Sequence, residues 1–147
     1  MSGKRFTYTN RLGGLLGEPS GEVRERGEWH ARILHGFGFD VVERVKAHAS
    51  FTDTELAGLL GIGEATLRRA RAARTTLDAA TSDRLYRLSK VIAIAEEVLE
   101  GTPNAIGWLR RPQAALAGRA PLELLVTQAG ADQVETLLRR IDYSVYT

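Results

Sequence analysis

The sequence predicts an all-α fold, and three observations carry that expectation. Apolar residues recur at spacings of three and four along several stretches. No stretch alternates convincingly at period two, the rhythm of a half-buried strand. The periodic stretches are also bounded by capping side chains, glycines and prolines, the punctuation of helices.

Residues 1 to about 30 show no sustained period and are rich in Gly, Arg and Glu. Residues 1–36 are therefore expected to form an arm, flexible or ordered only by a partner, with a short helix around Arg11–Leu16. From Phe37 the pattern turns helical, with Asp40 as the expected cap and Val41, Val42 and Val45 on one side. In "TDTELAGLLGIGEATLRRARAA", Thr52 and Glu55 have the spacing of a capping box, in which each side chain satisfies an orphan amide at the helix start. Leu56, Leu59 and Leu60 form the apolar stripe. Gly61 ends that helix because a residue without Cβ takes the left-handed conformation a tight turn needs. A second helix is expected from Glu64 to Ala73, with Leu67, Ala70 and Ala73 inward. Ser82 is expected to open the longest helix, whose Leu85, Leu88, Ile92, Ala95 and Leu99 recur at three and four before Gly101. Pro103 opens a short helix holding Ile106, Trp108 and Leu109, and Pro112 ends it. Pro121 opens "PLELLVT". Asp132 with Glu135 is expected to cap the last helix, with the stripe Val134, Leu137, Leu138, Ile141. The domains expected are 37–101 and 102–147, after the arm.

Composition excludes several functions. The chain of 147 residues has 44% hydrophobic and 26% charged residues, ordinary for a soluble globular protein. With no cysteine there is no disulfide framework, zinc knuckle or thiol nucleophile. No apolar run approaches the roughly 20 residues of a membrane span, and the start is too polar for a signal peptide. A cytoplasmic location is expected. A net charge of +2 gives no global polyanion signal, yet four arginines cluster in "RRARAAR", Arg68 to Arg74. His30, His35 and His48 lack the spacing of a helical metal pair, so no metal site is expected. "HGFGF" has the wrong spacing for a phosphate loop and follows no strand. No serine is framed as a nucleophile. Nothing points to an enzyme or to a cofactor.

Two helices joined by a short glycine turn have the layout of a DNA-binding helix–turn–helix. The second helix of such a pair enters the major groove with its N-terminal residues on base edges. Periodicity puts Leu67 and Ala70 in the core and Glu64, Ala65, Arg68 and Arg71 outward, with Arg69 and Arg74 at the flanks. A guanidinium suits the task, since its planar fork pairs with guanine or clamps a phosphate. Glu64 opposes phosphate contact, and a plain helical hairpin with a solvated arginine face also fits these residues.

The end, "RIDYSVYT", carries two tyrosines where exposed tails are normally charged and poor in aromatics. The apolar stripe of the last helix is complete before Asp142, so the tyrosines add little to the chain's own core. They either fold back on Trp108 or fill a partner's cleft, where each ring buries on the order of 150–250 Å².

The stretch "WLRRPQAALAGRAPLELLVTQAGADQVETLLRRIDYSVY" closely resembles the toxin-binding domain of the Xre/MbcA/ParS antitoxins. The shared features fall on Trp108, Leu109, Gln113, Gly118, Pro121, Leu122, Leu124, Leu125, Gly130, Val134, Leu138, Ile141, Tyr143, Val145 and Tyr146. Upstream, "LAGLLGIGEATLRRARA" and "SDRLYRLSKVIAIAEEVL" look like the Xre-type helix–turn–helix and its following long helix. The resemblance spans about Phe37 to Thr147. Ser144 stands where that family favours glycine, and Gly63 replaces the Ser or Thr expected before the second helix, a weaker cap.

The resemblance implies an Xre-like helix–turn–helix bundle followed by a small helical toxin-binding domain, in a type II antitoxin without catalysis. Its partner would carry a RES domain, similar in fold to ADP-ribosyltransferases, which degrades NAD or modifies a host protein with it. The antitoxin would cover the toxin's NAD pocket. Family members dimerise through the Xre part and repress their own operon, which implies a homodimer within a larger hetero-oligomeric toxin–antitoxin complex and no membrane partner. DNA contact is expected at Thr66, Arg68, Arg69, Arg71 and Arg74. Toxin contact is expected at Trp108, Arg139, Arg140, Asp142, Tyr143, Ser144, Val145, Tyr146 and Thr147. The competing expectation is a stand-alone Xre-type regulator whose C-terminal domain dimerises or senses a ligand.

Overall fold

The computed structural model describes residues 3–17 and 26–145, with side chains over 8–17 and 28–143. The elements are α1 (Gly3–Leu15), α2 (Arg26–His35), α3 (Phe39–Ala49), α4 (Asp53–Leu60), α5 (Glu64–Ala73), α6 (Ala79–Val98), α7 (Thr102–Arg110), a 3-10 turn (Ala114–Leu116), α8 (Pro121–Leu124) and α9 (Gln128–Val145). Among the described residues there is no strand, in agreement with the fold class expected.

Helix α6 is the pillar. Its run Val91–Ile92–Ala93–Ile94–Ala95 is buried on every side, and a helix apolar all round must be surrounded. Its neighbours α1, α2, α4, α7 and α9 supply the enclosure. The two stretches expected as separate domains therefore share one core, which α6 joins to both.

Part of the expected arm belongs to this core. Leu12, Leu15 and Leu16 of α1 and its following turn are buried, as is Trp29 of α2. Each such leucine contributes about 2 kcal/mol by burial. Trp29 packs between Tyr86 and Phe37, at centroid distances of 5.6 and 6.5 Å. Gly13 and Gly14 interrupt a stripe of Tyr8, Leu12, Leu15 and Leu16 and mask its helical spacing. Residues 18–25 of the expected arm lie outside the described residues.

Several helix starts differ from expectation, each for a local reason. Helix α3 begins at Phe39 with Gly38 as N-cap, so Asp40 sits inside the first turn instead of capping it. Helix α6 begins at Ala79, where the Asp78 carboxylate accepts from the Thr81 N–H at 2.8 Å. Ser82 is buried, and its Oγ accepts from the Phe37 N–H at 2.9 Å. Helix α9 begins a turn before Asp132, with the Thr127 hydroxyl accepting from the Gly130 N–H at 2.9 Å. Asp132 instead accepts from the Gln128 side chain at 2.8 Å. Helix α8 stops at Leu124, short of the full "PLELLVT", and Ala73 is exposed.

Two glycines fix close approaches. Gly36, at φ +96°, lets the chain pass Leu77: a Cβ there would lie 2.1 Å from the Leu77 carbonyl oxygen. "HGFGF" is thus a structural joint, closed by Leu77 N–H donating to Phe37 at 2.9 Å. A Cβ on Gly130 would lie 2.0 Å from the Leu124 carbonyl oxygen, which sets how closely α9 meets α8.

Candidate nucleic-acid interface and protein-binding end

The hairpin of α4 and α5 has the expected bounds, and its start is built as the sequence implies. Thr52 Oγ1 accepts from the Glu55 N–H at 3.1 Å, and Glu55 Oε1 accepts from the Thr52 N–H at 2.9 Å. Gly61 takes the left-handed conformation at φ 70° and turns the chain. Gly63 occupies the N-cap of α5 without a side-chain hydrogen bond. Leu67, fully buried, pins α5 to the core.

On α5, Ala65, Thr66, Arg68, Arg69 and Ala72 are exposed. Arg68 is 60% exposed and lies 3.8 Å from Glu64, a pairing one turn apart on the same helix. Arg69 donates to the Thr66 hydroxyl at 3.3 Å. Arg74 is exposed and takes a left-handed conformation at the C-cap.

Arg71 departs from the expected outward face. Its guanidinium donates two hydrogen bonds to Asp53, at 2.8 and 3.0 Å, and one to Glu43 at 3.0 Å. It also lies over the Phe39 ring, 5.7 Å from the centroid. Hydrogen bonding to Asp53 and Glu43 pushes its pKa further up. The Asp53 carboxyl is correspondingly held down, from 3.8 to about 2, chiefly by Arg71 and against the effect of burial, with Lys46 at 3.3 Å assisting. Asp53 and Glu43 were not among the expected site residues. Their partner stands 18 and 28 positions away, and no local spacing flags such a pair.

The C-terminal half is tied back to this hairpin. Arg110 of α7 hydrogen-bonds Glu55 and donates to the Ser50 carbonyl at 3.4 Å. Arg110 holds the Glu55 carboxyl below its usual range. A second tie is buried: Glu96, 1% exposed, accepts from Thr102 Oγ1 at 2.6 Å and meets His48 Nε2 at 2.5 Å. Arg11 lies 3.8 Å away. Burial pushes the Glu96 pKa up most strongly, yet the hydrogen bonds from His48 and Thr102, with the charges of His48 and Arg11, bring it below normal.

At the far end, Trp108 is only 9% exposed and belongs to the core, so its ring offers a partner little surface. Arg139 is exposed and lies 3.5 Å from Glu135. Arg140 is exposed and Asp142 half-buried. Tyr143 is 73% exposed on the last turns of α9. Its ring is not folded into the core that holds Trp108. Ser144 and Val145 lie on α9, with side chains beyond the described ones, and Tyr146 and Thr147 fall outside the described residues.

Among the described residues no group of three or more His, Asp or Glu is placed to hold a metal ion. None of their helices is long and apolar enough to cross a membrane.

Residues 28–90 match the family profile described as the antitoxin Xre-like helix-turn-helix domain. Residues 95–143 match the antitoxin Xre/MbcA/ParS C-terminal toxin-binding domain. A protein named Antitoxin Xre from Pseudomonas putida KT2440 is 32% identical over 134 residues, covering 91% of this chain and 82% of that one. One of the same name from Yersinia enterocolitica is 30% identical over 116 residues, covering 78% of each chain. A third, from Photorhabdus laumondii, is 24% identical over 117 residues, covering 79% of each.

Proposed function

The chain belongs to the Xre/MbcA/ParS antitoxin family, and we propose that it neutralises a RES-domain toxin by placing the end of α9 in that toxin's NAD pocket. The observation that supports this reading is Tyr143, 73% exposed near the end of an 18-residue helix whose apolar stripe, Val134, Leu137, Leu138 and Ile141, ends before Asp142. A tyrosine in water forgoes its burial energy, whereas in a cleft it gains contact area and its hydroxyl finds a polar partner. Toxin contact extends from Arg139 and Arg140 through Asp142 to the residues that follow. The chain contributes binding and no chemical step.

The other half of the function is DNA binding through α5, with Thr66, Arg68, Arg69 and Arg74 toward the operator. A single helix–turn–helix reads one half-site, so a two-fold homodimer is the form that matches a palindromic operator and represses the chain's own operon. The setting is the cytoplasm.

Removal of residues 143–147 tests the reading. Co-expressed with a RES-domain toxin, the shortened chain should fail to protect cells, while its melting temperature and operator binding stay near those of the full chain. Full protection by the shortened chain would overturn the pocket-filling role. A collapsed melt would mean that the tail completes the fold instead.

A further inference from the structure

Beside the exposed end of α9 lies a surface groove of about 580 Å³, between the 3-10 turn, α8 and α9. Leu116, Leu124 and Leu137 contribute apolar surface, and all three are only half-buried. Arg119 and Arg140 line the same groove, both exposed. Neither guanidinium has a carboxylate partner among the described residues, although other arginines of this chain do: Arg71 with Asp53, Arg110 with Glu55, Arg87 with Asp83, Arg139 with Glu135. Asp132 lines the groove as well, its carboxylate accepting from Gln128, so among the described residues Arg119 and Arg140 stand without an ion-pair partner beside half-exposed leucines.

We propose that this groove extends the toxin contact beyond the tail, continuing it from Arg140 to Arg119, the 3-10 turn and α8. Its occupant is a toxin segment carrying an aliphatic or aromatic side chain next to an Asp or Glu. The leucines take the apolar group, and Arg119 and Arg140 take the carboxylate, whose planar oxygens match a guanidinium fork. Nucleic acid fits poorly, because its phosphates gain nothing from three leucines. The choice of the toxin rests on the reading that it receives the end of α9. Thr136 and Arg140 line the groove, and Tyr143 follows at seven and three positions beyond them, on the same face of the helix. Tyr143 lies about 4.5 Å further along the axis than Arg140, from a rise of roughly 1.5 Å per residue. A partner that envelops Tyr143 is thereby carried over the groove.

The test uses the full chain and a RES-domain toxin, with affinity measured at low and high salt. Arg119→Ala combined with Arg140→Ala should weaken binding at least tenfold and flatten its salt dependence. Thr136→Trp, which fills the groove without changing charge, should weaken it similarly and leave the salt dependence unchanged. Melting curves and operator binding of both variants should match the parent. Parental affinity in both variants, alongside loss of binding on removal of residues 143–147, would overturn the groove and leave the toxin reading standing. Failure of the unaltered chain to bind the toxin would overturn both.

Discussion

Arg71 and Asp53 meet through two hydrogen bonds, at 2.8 and 3.0 Å, that tie the second helix of the helix–turn–helix to the start of the first. Glu43 of α3 takes a third bond at 3.0 Å, so three helices converge on one guanidinium. An arginine held in this way is a strut of the hairpin. Arg71→Ala should lower the melting temperature by a few degrees, because a multidentate network is worth more than an isolated surface pair. It should reduce operator affinity of the folded protein less than Arg68→Ala does. A gel shift showing the reverse order would return Arg71 to the groove.

The same clamp carries a pH signature. Asp53 ionises at about 2 in the folded chain against an ordinary 3.8. A depressed folded-state value means stability that is fully present above about pH 4 and is lost as pH falls toward about 2. Asp53→Asn has no such carboxyl to protonate. Denaturant melts at pH 5 and pH 2.5 should therefore show a larger acid loss in the parent than in Asp53→Asn. Equal losses would mean that the pair does not stabilise the fold.

On α5 and its C-cap the exposed arginines are Arg68, Arg69 and Arg74, the cations proposed to face DNA. Replacing Arg68 or Arg69 with Ala should cost roughly 1–3 kcal/mol where the side chain pairs with a base edge. A phosphate-only contact would weaken binding to every sequence and reduce the salt slope by about one charge. Parental binding by both variants on the native promoter, at two salt concentrations, would remove the groove assignment.

Glu96 concentrates three polar contacts at the junction of α1, α3, α6 and the start of α7. Glu96→Ala leaves His48, Thr102 and Arg11 facing a cavity in place of a carboxylate, and should destabilise by about 2–4 kcal/mol in chemical denaturation. Its depressed pKa places the contribution above the ordinary glutamate value, to be lost as pH falls through the folded one. A stability change within experimental error would show the node to be dispensable.

Glycine substitutions separate close approach from ordinary helix propensity. Gly36→Ala and Gly130→Ala each drive a methyl into a backbone carbonyl, at 2.1 and 2.0 Å, and should each cost roughly 2 kcal/mol or more. Gly58 is in α4 with nothing within 4 Å of its would-be Cβ. Gly58→Ala should stabilise the fold by about 0.5–1 kcal/mol. Thermal melts of the three variants would read the contrast directly.

The local elements were legible because their causes lie within a few residues. The Thr52–Glu55 box, the Gly61 turn and Pro103 at the start of α7 act within one turn of helix, and the structure places all three as the sequence implies. Near misses at Asp40, Ser82 and Asp132 have the same origin. Each is a polar residue near a helix start, and propensity does not say which of several candidates closes the first turn. The exposure of Tyr143 was legible in part, since the stripe of α9 is complete before Asp142.

Packing across the chain decided the rest. Residues 1–36 read as an arm because residues 1 to about 30 show no sustained period, and it is packing against α6 and α3 that turns Leu12, Leu15 and Leu16 into core. Arg71 lies on the outward side by helical period alone. Its direction was set by carboxylates 18 and 28 positions away that tertiary contact brings within 3.0 Å. The groove beside α9 likewise exists only where the 3-10 turn and α8 stand against that helix. A helix is chosen by interactions one turn apart, whereas the partner of a charged side chain is chosen by whichever opposite charge the fold delivers, and that depends on every helix between them.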